Sequence, residues 1–155
     1  MAKRRVEIGP TGTTVRENVA RIRKRQGLTL QNVSDRLGEL GKPLSPNAIS
    51  EIERAARRVD VDDLMALSIA LDVTPVALLM PEAALSEDVV EPTGNTVHGL
   101  TARALWNFLT ARKPLRGGNV RDIAEFHSRT YPRWEELQVF TDRSMTFEGP
   151  ADGDD

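Results

Sequence analysis

Apolar residues recur at helical spacing through the first half of the chain, and polar capping residues separate one run from the next. Over residues 14–26, Val15, Val19 and Ile22 share one face, and Thr14 followed by Glu17 has the spacing of a capping box. Gly27 suits the left-handed turn that ends this helix, and Thr29 is placed to cap a second helix over residues 30–40, with Val33, Leu37 and Leu40 turned inward. Gly41, Lys42 and Pro43 break the chain. Ser45 and Pro46 then start a third helix as N-cap and first helical residue, with Ile49 and Ile52 as its inward stripe. Asp60 caps a fourth helix through Leu71, with Leu64, Leu67 and Leu71 inward. Thr74 and Pro75 repeat the cap-plus-proline start for a short fifth helix carrying Leu78 and Leu79. Five short helices predict one all-α domain over residues 13–80, since two or three alone bury too little apolar surface.

The pattern then loosens. Residues 81–99 are acidic and hold Pro92, Gly94 and Gly99, which predicts a linker. Helical spacing returns over residues 100–112 with Leu105, Phe108 and Leu109 clustered and Trp106 alongside. Asn119 is placed to cap a further helix bearing Val120, Ile123, Ala124 and His127, and Tyr131, Trp134, Leu137 and Phe140 continue the apolar content. A helical segment of about forty residues (100–140) buries too little to stand alone. It is expected to dimerise, dock on the first domain or bind another protein. Residues 1–12, with Lys3, Arg4 and Arg5, read as a mobile arm that either touches DNA phosphate or is simply solvated, and residues 141–155 as a disordered acidic tail.

Charge changes this picture because it is unevenly spread. The net charge is −2, yet residues 1–60 hold 13 Lys and Arg against 7 Asp and Glu, while residues 61–155 hold 8 against 16. The basic half coincides with the first three helices and marks them as the part suited to a polyanion. The helix starting at Ser45 leaves Pro46, Asn47, Ser50 and Glu51 on or near its outer side. Asn pairs bidentately with adenine, Ser reaches phosphate or a base edge, and Glu accepts from cytosine N4, so these types suit major-groove reading. Arg54, Arg57 and Arg58 follow where a helix C-terminus favours cations and where a phosphate backbone can be gripped. Without the surrounding pattern, the same residues would be only a cap and a solvated face.

The order and spacing of IRKRQGLT, VSDRLG, SPNAISEIERA and LMALSIALDVTPVALL, over residues 14–80, resemble the Cro and lambda-repressor-like helix-turn-helix proteins, also called the xenobiotic-response-element family. The resemblance implies a five-helix DNA-binding fold, a role in transcriptional control, and a salt bridge between Arg23 and Glu53. It also makes the helix from Ser45 the recognition helix. The chain departs from the family pattern at four places. Leu30 stands where a phosphate-anchoring Gln is common, with Gln31 next to it as a substitute. Residues 39–43 form an insertion before the recognition helix. Ala55 replaces the Gly that usually follows that helix, and Ser68 replaces a small apolar Ala.

Other chemistry is sparse. Cysteine is absent, His98 and His127 are the only histidines, and neither a HExxH pattern, a glycine-rich phosphate loop nor an acidic cluster at metal-ligand spacing occurs. No catalytic site, metal or cofactor is expected. His98 reads as a solvated linker residue, His127 as part of an aromatic face, and Trp106 and Trp134 as core or interface anchors. No apolar run approaches bilayer length and no apolar signal region occupies the first thirty residues, so a cytoplasmic location is expected, with no membrane partner. The expectation is a sequence-specific DNA-binding regulator, a repressor, contacting double-stranded DNA as a homodimer through Gln31, Ser45, Pro46, Asn47, Ser50, Glu51, Arg54, Arg57 and Arg58. The alternative is an antitoxin or adaptor that uses the same helical domain to bind protein.

Overall fold

Seven helices form among the described residues, 7–135 of the computed structural model: α1 (Pro10–Arg25), α2 (Leu30–Glu39), α3 (Pro46–Glu53), α4 (Val61–Ala70), α5 (Pro75–Leu79), α6 (Ala102–Leu109) and α7 (Val120–Thr130). The only strand-like pairing among those residues is an isolated antiparallel bridge, Val89 with Thr101. The protein is all-α. Residues 1–6 and 136–155, which contain Lys3, Arg4 and Arg5 of the expected arm, Leu137, Phe140 and the acidic tail, lie outside the described residues.

The caps explain the starts of the helices. Thr29 accepts from the Asn32 backbone N–H at 3.0 Å while the Asn32 side chain accepts from the Thr29 N–H, a reciprocal box at the start of α2. Ser45, Asp60 and Thr74 accept from the backbone N–H groups of Ala48, Asp63 and Ala77. For α1 the expectation fails: Thr14 lies inside the helix, which begins at Pro10 with Gly9 as N-cap. Proline at the first helical position needs no N–H partner, so the helix extends back through Gly12 to Pro10, into the stretch expected to be mobile.

Val15, Val19, Val33, Leu37, Leu44, Ile49, Ile52, Leu67, Leu71 and Leu78 make one core. Around it α1 packs on α3 and α5, α2 on α3 and α4, and α4 on α5. Each fully buried aliphatic side chain contributes roughly 1.5–3 kcal/mol of transfer free energy, enough in sum to hold elements this short. Some residues expected inside are not fully there: Leu40 is the C-cap of α2 and 46% exposed, and Ile22 and Leu64 are half-buried. The helix ends before Leu40 because Gly41 enters the left-handed region at φ 73°, where the Lys42 N–H closes on the Leu37 carbonyl.

Polar side chains join the helices. Buried Asn18 on α1 donates Nδ2 to the carbonyls of Ala77, Leu78 and Met80 at 3.3, 3.0 and 2.8 Å, closing the end of α5. Gln26 and Arg36 donate to the carbonyls of Leu71 and Ala70, at the end of α4. These donors occupy carbonyls that a helix terminus leaves open.

The chain divides into two compact units, Met1–Trp106 and Asn107–Asp155, with the division inside α6. Residues 81–99 were expected as a linker, but they fold within the first unit. Val90 and Leu100 are buried, the Val90 N–H donates to the Leu100 carbonyl at 2.9 Å, and Ala102 N–H to Asp88 at 2.8 Å. Thr11 and Thr93 exchange hydrogen bonds, each backbone N–H to the other's hydroxyl, at 3.1 and 2.8 Å. Two apolar positions separated by a Pro- and Gly-containing turn leave no periodicity to detect.

In the second unit Asn119 and Asp122 form the capping box of α7. Phe126 is the buried residue of that helix and lies 6.0 Å from Phe108 between ring centroids, while His127 stacks on Tyr131 at 4.7 Å. The inward set therefore shifts from the one expected. Val120 and Ala124 are exposed, and Ile123, Phe126 and His127 define the covered side.

Candidate nucleic-acid interface

α3 presents its outer side from a rigid seat. Ile49 and Ile52 are fully buried, and Ser45 Oγ accepts from Ala48 N–H at 3.1 Å, which fixes the first turn. Pro46 is half-buried against this turn. Asn47 is exposed, with Nδ2 3.4 Å from Glu51 Oε1, and Ser50 and Glu51 are half-buried along the same side. Arg54, the exposed C-cap, donates Nε to the Ser50 carbonyl at 3.2 Å. The structure thus brings Ser45, Asn47, Ser50, Glu51 and Arg54 together on one short helix.

The other candidates are distributed around it. Gln31, exposed in the first turn of α2, donates to Asp35 at 2.7 Å. Leu30 packs against the core, which accounts for an apolar residue there. Arg57 turns toward α4 and donates Nη2 to Asp63 Oδ2 at 2.9 Å, and Arg58 donates Nε to the Glu7 carbonyl at 2.7 Å. Arg16, not singled out in the sequence, shares a cleft of about 380 Å³ with Arg57 and Arg58 and reaches the Glu53 carbonyl at 3.4 Å.

Two ion-pair centres hold α3 in place. Arg23 on α1 meets Glu53 in a bidentate pair, Nε to Oε1 at 2.6 Å and Nη2 to Oε2 at 2.9 Å, and also donates to the Leu28 carbonyl at 2.8 Å. Both side chains are 12% exposed. The hydrogen bond to Glu53 raises the Arg23 pKa above the ordinary guanidinium value against the opposing effect of burial. The second centre is Asp63, 1% exposed, which faces Arg57 at 2.9 Å and Lys42 at 3.7 Å. Lys42 belongs to the lengthened turn before α3 and Arg57 to the loop after it, so one carboxylate on α4 ties both flanks of the helix. Proline spacing and caps gave no sign of Asp63 in this role, because both of its partners lie in loops without periodicity.

The loop after α3 bends through Ala55 at φ 61°, a left-handed conformation that glycine adopts without strain. The site offers hydrogen-bonding and cationic groups. Among the described residues no group of three or more His, Asp or Glu could hold a metal ion.

A compact five-helix core, α1–α5, with α3 exposed along a polar side and flanked by cations defines a DNA-binding helix-turn-helix regulator. Residues 19–78 match the helix-turn-helix family model, and the match supports placing this domain among the XRE/lambda-repressor-like helix-turn-helix regulators. No curated protein and no solved structure matches it. No helix among the described residues is long and apolar enough to cross a membrane.

Proposed function

We propose that the protein is a sequence-specific transcriptional repressor that binds double-stranded DNA as a homodimer, with α3 in the major groove. The observation that carries the reading is the exposed polar side of α3, held by Arg23–Glu53 at its end and by the Ser45 cap at its start. Asn47, Ser50 and Glu51 offer the donor and acceptor types that base edges require. Pro46 and Ser45 set the entry of the helix, and Gln31, Arg54, Arg57 and Arg58 contact phosphate, Arg57 through the N–H groups that Asp63 leaves over. Bound as a dimer, the protein covers two half-sites about one helical turn apart, roughly 10 bp or a multiple, and represses by occluding the site.

Titration of Asn47→Ala and Arg58→Ala on a genomic fragment selected by the protein and on random DNA, at several salt concentrations, tests this. Asn47→Ala is expected to cost on the order of 1–3 kcal/mol on the selected site and to leave random binding nearly intact. Arg58→Ala is expected to weaken both and to lower the salt slope by about one unit. Equal weakening of both DNAs by Asn47→Ala would remove α3 from the groove. Weak, salt-sensitive retention of the wild type without any preferred site would favour an adaptor that binds protein.

A further inference from the structure

α4 is apolar around most of its circumference. Its inner side places Ala66, Leu67 and Ala70 in the core, yet Val61, Met65 and Ile69 are 77%, 47% and 57% exposed. Residues four apart fall on one side of a helix, so these three form a single stripe along the outside. A helix apolar on both sides is ordinarily covered on both, and a contiguous apolar stripe facing water marks a contact surface.

The charges beside the stripe identify what covers it. Asp62, at the start of α4 and 86% exposed, lies beside the turn that follows α2, with Lys42 Nζ 4.0 Å from its carboxylate. Arg36, exposed on α2, reaches the opposite end of α4, where Nη1 donates to the Ala70 carbonyl at 2.9 Å. An acid and a base thus stand at opposite ends of one edge, the edge bordered by α2. Two copies laid stripe to stripe and antiparallel about a two-fold axis share that edge while its direction reverses. Met65 then lies at the axis, Val61 of each copy meets Ile69 of the other, and Asp62 meets Arg36 twice. A parallel pairing would carry the two charged edges to opposite sides and leave both charges unmatched.

We propose that the outer side of α4 is a self-association surface, an isologous antiparallel contact between two copies of this chain. Three apolar side chains and one charge pair per half fall short of the ~800 Å² per partner of a standard stable interface, so the dimer dissociates on dilution. The surface lies in the first unit. In the second unit, aromatic residues are partly spent on their own cluster, Phe108 with Phe126 and His127 with Tyr131.

Sedimentation equilibrium of the full chain without DNA, over a hundredfold concentration range, tests the proposal independently of DNA binding. The wild type is expected to pass from monomer to dimer. Met65→Glu, at an exposed position, is expected to keep its circular dichroism and thermal midpoint while losing dimer at least tenfold. Asp62→Arg is expected to weaken association, and Asp62→Arg with Arg36→Asp to restore it. Trp134→Ser, in the second unit, is expected to leave the mass unchanged. A wild type that stays monomeric throughout, a Met65→Glu variant that dimerises as before, a Trp134→Ser variant that loses the dimer, or a double swap that restores nothing would each overturn the assignment.

Discussion

Removing the partners of Asp63 one at a time discriminates between a clamp on α3 and an incidental surface ion pair. Asp63 is 1% exposed, whereas its partners Arg57 and Lys42 are 34% and 39% exposed, so the two sides of the interaction lose unequal amounts when it is broken. In Arg57→Met the carboxylate stays buried with only Lys42 at 3.7 Å, and Oδ1 already has no hydrogen-bond donor. An uncompensated buried charge costs about 3–5 kcal/mol, and Lys42 offsets part of it, which leaves about 3 kcal/mol. In Asp63→Asn the freed cations regain water, and the cost is that of one charge-assisted hydrogen bond, about 1.5–3 kcal/mol. The double variant should therefore be more stable than Arg57→Met alone, with a coupling of at least about 1 kcal/mol. Urea unfolding of the four proteins measures these values. The same proteins titrated on selected and random DNA should show Asp63→Asn losing preference for the selected site, because the turn before α3 and the loop after it are released together. Additive unfolding free energies, or Asp63→Asn costing more than Arg57→Met, would refute the clamp.

Three further outcomes are expected. Arg23→Ala and Glu53→Ala should each cost more than the double variant, because the survivor of a pair only 12% exposed is left partly desolvated, and a double-mutant cycle by urea unfolding checks this. Ala55→Gly should stabilise the protein by about 1 kcal/mol, since alanine at φ 61° carries left-handed strain that exceeds the entropy glycine adds to the unfolded chain; a thermal midpoint that falls would contradict it. The Asp60 pKa is lowered, chiefly by the backbone N–H of Asp63 and in part by Lys42 and Arg57, so its contribution to stability is present above its unfolded pKa and is lost as pH falls through the folded one. Asp60→Asn should accordingly lose less stability than the wild type between about pH 5 and pH 3, and parallel curves for the two proteins would exclude this role.

What sequence alone determined is local. Thr29, Ser45, Asp60 and Thr74 cap the helices they were expected to cap, because a cap and its target N–H lie within three residues. Val19, Val33, Ile49, Ile52 and Leu67 lie in the core because helical periodicity alone sorts the two sides of an amphipathic segment. The Arg23–Glu53 pair was legible only through family resemblance, since 30 residues separate its members. The start of α1 at Pro10 escaped because Thr14 and Glu17 offered an equally good local signal and nothing local ranks one start above the other. Tertiary structure alone decided the rest. Asn18 became the closure of α5, some sixty residues away, and Asp63 became the meeting point of two loops. Arg57 turned inward, and residues 81–99 folded back to exchange hydrogen bonds between Thr93 and Thr11. Each of these is a contact between polar groups far apart in the chain or in loops without periodicity, and their energy depends on where the burial of the helices happens to bring them. A local pattern reports which side of a helix is apolar. It carries no information about which partner waits across the core, and at this site the partner decides whether an arginine is tied to a neighbouring helix or left open to solvent.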